Sequence, residues 1–436
     1  MSNCAIVGVN WGDEGKGRIV DLVSENYDIV IRYQGGGNAG HTVINEYGTF
    51  ALHLLPSGIF RKDVVNILGN GVALDPINLI KEISQIRSSG IDITPENLKV
   101  SSRASLLMPW HVELDELEEN RLKDKKYGST KQGIAPFYSD KYQKKTVMAG
   151  EISDEFSFMQ HVKDLMEWKN MIIRSYGGRE YNAERLQEFF DAVEQIRPYV
   201  TDTTRYLVEN NDKNILFEAQ LGSLRDIDYG IYPYTTSSNT LAAYAPIGAG
   251  CPQVKVDKVI GVAKAYSTCV GEGPFVSEMF ESEAEKLRSA GSEYGAKTGR
   301  PRRVGAFDVV ATRYGTMIQG TDEVALTKLD VLSYLDRIPV CTSYSYNIPV
   351  CTSYSYNGED YEDFPFPTLL VKASPKIRYF DGWKCDISKI RKYEDLPVEA
   401  RQYIEFIEKE IRCPITYISV GPERESIIYR GEHVQS

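Results

Sequence analysis

The segment NWGDEGKGR at residues 10–18 gathers the residue types that handle phosphate. It follows a β-branched run, CAIVGV at 4–9, and opens into a helical pattern, GRIVDLVSE. A glycine-rich turn between strand and helix offers backbone N–H groups and the positive helix end to an anion. The GxxxxGK[ST] spacing of a standard P-loop fails, because Gly17 stands where a magnesium-binding hydroxyl would follow Lys16. Asp13 and Glu14 lie inside the loop. A carboxylate beside phosphates repels them unless it binds a cation or takes a proton from a substrate, and Asp13 is a candidate for either task. The plain alternative is a glycine turn with a solvated Asp-Glu pair.

A second constellation, QGGGNAGHT at 34–42, has four glycines, an amide and a histidine in nine residues. Such a loop brings backbone close to a ligand, with Asn38 able to read a polar edge. His41 is a candidate proton donor or charge stabiliser near neutral pH; His53, His111 and His161 read as packed residues. TKLD at 327–330 matches the [NT]KxD pattern by which an aspartate accepts two hydrogens from a guanine edge while a lysine stem covers the base. AKTGRPRR at 296–303 places Lys297, Arg300, Arg302 and Arg303 around Gly299 and Pro301, a flexible clamp for a small anionic substrate.

The elements that position these loops follow from periodicity. YDIVIRY at 27–33, VVNILG at 64–69, KNILFEA at 213–219 and KVIGVAKA at 258–265 join 4–9 as buried strands. Residues 305–317 carry Phe307, Val310, Ala311, Tyr314 and Met317 at helical spacing, which predicts one apolar face. Strands alternating with helices imply an α/β fold around a large, mostly parallel sheet, with ligands beyond the carboxyl ends of its strands. No compositional seam divides residues 1–436, so a single domain is expected. IPVCTSYSYN occurs at 338–347 and again at 348–357; a ten-residue doublet is too short for a solenoid and reads as a local duplication inside that domain.

Composition narrows the partners. A formal net charge of −11 opposes nucleic acid and anionic membrane faces, so any phosphate site is local. The sequence lacks a long apolar run and a leader pattern, and its seven cysteines show no CxxC spacing, which points to the reducing cytoplasm.

NWGDEGKGR, QGGGNAGHT with HLLPSGI at 53–59, DIDYGIYPYTTSSNT at 226–240, TGRPRR at 298–303, TKLDVL at 327–332 and SVGPER at 419–424 together resemble the adenylosuccinate synthetase family, in the family's order and over nearly the whole chain. The resemblance implies a P-loop-NTPase-like α/β domain with small subdomain insertions. It also implies a homodimer and a ligase of purine biosynthesis that joins IMP and L-aspartate at the expense of GTP through 6-phosphoryl-IMP. By the same resemblance Asp13 is the general base, His41 the general acid, and Lys16 stabilises the transferring phosphoryl group. One Mg2+ per subunit would be held by Asp13 and the carbonyl of Gly40. GTP would meet Gly12, Asp13, Glu14, Gly15, Lys16, Gly17, Arg18, Gly40, His41, Thr42 and Arg302, with Lys328, Leu329, Asp330, Ser419, Val420 and Gly421 around guanine. IMP would meet Asp13, Glu14, Gly15, Lys16, Asn38, Ala39, Gly40, His41, Thr130, Gln220, Thr236 and Arg300, with Lys144 reaching the neighbouring subunit's IMP. Aspartate would meet Lys297, Thr298, Gly299, Arg300 and Arg302.

Departures from the family pattern concentrate on substrate loops. Residues 128–136 read GSTKQGIAP where the family has GTTGRGIGP; FEAQLGSLRD at 217–226 replaces FEGAQGTLLD; Lys144 replaces an arginine, and Lys297 a threonine. Three rivals to the ligase remain at this level: a GTP-hydrolysing switch protein, favoured by TKLD alone, a dead scaffold, and a related ligase with another acceptor or purine monophosphate.

Overall fold

The computed structural model describes residues 2–45, 47–295, 299, 301–346 and 364–431. Its centre is a ten-stranded sheet. The strands are β1 (Cys4–Gly8), β2 (Ile29–Arg32), β3 (Val65–Leu68), β4 (Leu98–Ser101), β5 (Val200–Thr201), β6 (Ile215–Gly222), β7 (Lys258–Lys264), β8 (Glu323–Thr327), β9 (Ile415–Ser419) and β10 (Ile427–Tyr429). They lie in the order β10-β9-β8-β7-β1-β6-β2-β3-β4-β5. β6 runs parallel to β2, β2 to β3, β3 to β4, β4 to β5, β7 to β8 and β8 to β9, while β10 closes one edge antiparallel. The central strands β1 and β2 are buried without alternation, as expected of a parallel sheet covered on both faces. The five strand segments expected from periodicity are all present, each within two or three residues of its ends.

The chain divides into two compact units, one of Met1–Ile6, Val20–Gln220 and Thr236–Asp257, the other of Val7–Ile19, Leu221–Thr235 and Lys258–Ser436. In the first, helices Pro76–Ser88, Pro109–Leu122, Ile134–Gln143, Glu155–Ser175 and Gln187–Ile196 accompany β2–β6. Local chemistry starts two of them: the Asp75 side chain accepts from Asn78 N ahead of Pro76, and that of Asp154 accepts from Ser157 N. Phe189, Ala192, Val193 and Ile196 line the inner face of the last helix. Full burial of such large apolar side chains contributes roughly 1.5–3 kcal/mol each.

In the second unit, helix Val309–Gln319 corrects the expected start at 305. Asp308 accepts from Ala311 N and from the Tyr344 hydroxyl, which ends the helix there and leaves Phe307–Asp308 as a short strand beside Arg337–Tyr346. Val310 and Ala311 are buried as expected, but Met317 is 68% exposed, beyond the edge of the apolar face. Gly315 is required by packing, since a Cβ there would lie 1.8 Å from Val9 O. The first IPVCTSYSYN copy forms most of strand Arg337–Tyr346, antiparallel to Ala373–Asp381; the second lies outside the described residues. Among the described residues no helix is long and apolar enough to cross a membrane.

Candidate active site

In the second unit the loop after β1 is built on itself. Gly12 (φ 104°), Asp13 (φ 60°) and Gly15 (φ 93°) take left-handed conformations that turn the chain into helix Lys16–Val23. The buried Glu14 carboxylate accepts from Gly12 N at 2.8 Å and Asn10 N at 3.2 Å, and pairs with Lys16 Nζ at 2.7 Å. Thr327, at the end of β8, donates to Glu14 O at 2.5 Å. Asp13 is more open, its side chain 21% exposed, and lies 2.9 Å from Arg302 Nε.

Arg302 also pairs with Glu293 at 2.8 Å, and this fully buried carboxylate anchors a cationic cluster. Lys264 Nζ and Lys328 Nζ each lie 2.9 Å from Glu293 Oε1, and the Tyr266 hydroxyl donates to the same oxygen at 2.5 Å. Burial alone would raise the Glu293 pKa, but Lys264, Lys328 and Arg302 outweigh it and hold the group well below the usual carboxylate range. Burial pushes Lys264 down to about 8, with Glu293 opposing. Next to the cluster, Asp330 is raised by burial, against the pull of Arg18 and Lys328. Arg18 donates to Ser419 Oγ and to Glu423 O. Leu329 and Val420 are completely buried.

In the first unit His41 opens strand His41–Asn45 and lies against Glu218 of β6, with Nδ1 2.6 Å from Oε1. Ser57 donates to Glu218 through N and Oγ, both at 2.8 Å, and Arg32 Nη1 stands 3.6 Å away. Burial drives the Glu218 pKa up, yet the bond to His41, the Arg32 charge and Ser57 bring it below its usual value. An ionised Glu218 accepting from Nδ1 fixes both the ring orientation and its tautomer. Behind it, Glu82 accepts from the backbone N–H groups of His53, Leu54 and Leu55, and burial raises it to about 7.

Gln220 supports the glycine loop: Nε2 donates to Gly36 O at 2.5 Å and Ala39 O at 3.3 Å, while Oε1 accepts from Gly36 N at 2.9 Å. Asn38 Oδ1 and Thr236 Oγ1 are buried and have no hydrogen-bond partner among the described residues. Orphaned polar atoms of this kind are costly unless a ligand satisfies them. Thr42, Thr130 and Lys144 are exposed.

A sequence model of the adenylosuccinate synthetase family matches residues 5–428. The chain belongs to the adenylosuccinate synthetase family. It is 42% identical over 433 residues, covering 98% of this chain and 99% of its relative, to the adenylosuccinate synthetase of Caldanaerobacter subterraneus subsp. tengcongensis. It is 43% identical over 437 residues, 99% of both chains, to that of Brevibacillus brevis. The solved structure of fully ligated adenylosuccinate synthetase from Plasmodium falciparum superposes with a TM-score of 0.91 at 35% identity, covering 99% of this chain and 100% of that one.

Against the family's expected positions, the structure brings Asp13, Arg302 and Lys328 into one ionic cluster and pairs Lys16 with Glu14. It places His41 on Glu218 and Gln220 on the glycine loop. Lys297, Thr298 and Arg300 lie outside the described residues; Gly299, described, has φ 63°. His111 is buried as expected, whereas His161 is over a third exposed and pairs with Glu151, a correction to its reading as a packed residue. Glu218 and Glu293 are absent from the candidate residues that the sequence offers. The first carried a signal, a lone charge in the apolar strand ILFEAQLG; the second sits in an irregular segment with none.

Proposed function

We propose that this chain carries out its family's reaction with the residues assembled above. It is a GTP-dependent ligase that forms a C–N bond, converting IMP and L-aspartate to adenylosuccinate, GDP and phosphate through 6-phosphoryl-IMP. The family match over residues 5–428 carries this reading. Asp13 takes the N1 proton of IMP, which lets O6 attack the γ-phosphorus of GTP. The O–P bond to the β,γ-bridge breaks, and GDP leaves with its developing charge supported by His41 and Lys16. The aspartate amine then attacks C6, the C6–O bond breaks, phosphate departs, and the amine loses its proton.

The site geometry supports these roles. The buried orphans Asn38 Oδ1 and Thr236 Oγ1 suit a polar purine nucleotide, Glu218 holds the His41 ring, and Glu293 holds Lys328 and Arg302 in place for nucleotide and carboxylate. Asp13 presents a partly exposed carboxylate in a glycine turn, a hard oxygen donor of the kind Mg2+ prefers; the family pattern adds the Gly40 carbonyl. Bound there, the ion would neutralise phosphate charge. Among the described residues no group of three or more His, Cys, Asp or Glu side chains is placed to hold a metal.

The reading takes 1–436 as one functional domain working in the cytoplasm as a homodimer. Lys144, exposed at φ 61° beside Tyr142, which is 73% exposed, would reach the neighbouring IMP. The test is phosphate release from GTP and Mg2+ with IMP and aspartate omitted singly and together. Release that needs both substrates is expected; release from GTP alone would favour a hydrolytic switch, and release with IMP alone a different acceptor. Asp13→Ala should abolish release while leaving the fold intact.

A further inference from the structure

Helix Pro109–Leu122 carries two carboxylates one turn apart, Asp115 and Glu119, only 5% and 9% exposed. Neither forms an ion pair among the described residues; both accept from the loop that follows. Glu119 takes Tyr127 N and Gly128 N at 3.1 Å and Ser129 N at 3.2 Å. Asp115 takes Ser129 Oγ at 2.7 and 2.8 Å and Gly133 N at 2.9 Å. Lys131 N in turn donates to Ser129 Oγ at 3.1 Å. The departure from glycine at Lys131 is accommodated by the same helix. Its backbone stays left-handed at φ 55°, and its ammonium pairs with Glu116 at 2.8 Å. Gly133, at φ 75°, must remain glycine because a Cβ would meet His111 C at 2.8 Å.

We propose that Asp115 and Glu119 are positioning residues for the nucleotide-monophosphate loop, clipping residues 127–133 in a formed conformation that presents Thr130 to IMP. The inference rests on the reading of Thr130 as an IMP contact. Buried carboxylates that spend their acceptors on consecutive loop amides fix the backbone without touching substrate, so the ordering entropy is met before IMP arrives. The loop in this chain is preorganised by its own helix, and Lys131 adds a second attachment point at Glu116.

Limited trypsin digestion and steady-state kinetics test this on the full chain. Lys123, Lys125, Lys126 and Lys131 are exposed cleavage points in and beside the loop. Without substrate, Glu119→Gln and Asp115→Asn should each speed cleavage at these lysines about tenfold. Each should raise KM for IMP on the order of tenfold while KM for GTP and kcat stay within about threefold. Glu116→Gln, a surface change that leaves the buried clip intact, should speed cleavage at Lys131 alone. Unchanged cleavage, or KM values for IMP and GTP rising together, would overturn the proposal. Thr130→Ala separates the two readings: unchanged KM for IMP in that variant removes the Thr130 contact, even where the cleavage pattern shows the clip.

Discussion

Glu293 and Glu218 are equally buried, each with no side-chain exposure, yet they organise their surroundings by different means. Glu293 stands among three cations, Lys264, Lys328 and Arg302, the last of which it shares with Asp13. Glu218 meets one guanidinium at 3.6 Å and otherwise neutral donors from Ser57 and a histidine ring. Burial costs both the same kind of penalty. The first offsets it with net charge and the second with directed hydrogen bonds, so the first should be felt as stability and the second as orientation.

The largest expected effect is therefore at the cationic cluster. Glu293→Gln takes the carboxylate partner from Lys264 and Lys328 and leaves Arg302 with Asp13, and should cost on the order of 3–5 kcal/mol, read as a lowered urea midpoint. A loss below about 1 kcal/mol would mean that solvent already screens the cluster. At the other centre His41→Asn should reduce kcat about 10²–10⁴-fold with IMP binding retained. Glu218→Gln should reach about tenfold or more through ring misorientation, and the double variant should fall no further than His41→Asn alone. Additive losses would show that Glu218 acts apart from the ring.

Glu82 sharpens the contrast, since backbone amides surround it and its pKa is raised to about 7 from an ordinary value of 4.5. The folded state holds this proton more tightly than the unfolded chain, so its contribution is complete below about pH 4.5 and is lost as pH rises to about 7. The loss amounts to about 3 kcal/mol. Glu82→Gln should flatten the fall in urea midpoint between pH 5 and pH 8; parallel curves for the two proteins would refute the assignment. The smallest effect belongs to the surface. Lys81 and Glu188 pair at 2.9 Å with side chains 66% and 68% exposed, and Lys81→Ala should change stability by less than about 0.5 kcal/mol.

The same contrast separates what was legible in the sequence from what was not. β1, β2, β3, β6 and β7 announced themselves as continuous apolar runs, because a covered parallel sheet admits little else. The glycine loops and TKLD were legible because each is a pattern of a few consecutive residues. Glu218 left a trace as a charge inside such a run. Glu293 left none, since the groups that give it meaning come from residues 264, 266, 302 and 328, and no local pattern reports a cluster assembled from four segments. Helix Val309–Gln319 starts later than its apolar spacing suggests for a related reason, as the hydroxyl that completes the Asp308 cap belongs to Tyr344.

His41 and Glu218 are 177 positions apart in the chain, and Ser57 and Glu218 are 161 apart. At about 5–20 residues per second on a ribosome, roughly 10–35 s pass between the emergence of the histidine and that of its carboxylate. Through that interval His41 lacks the carboxylate it meets in the folded chain, so the hairpin His41–Asn45 and Gly48–Leu52 can pair while its histidine stays wet. Newly made chains thus acquire their histidine centre only when β6 arrives.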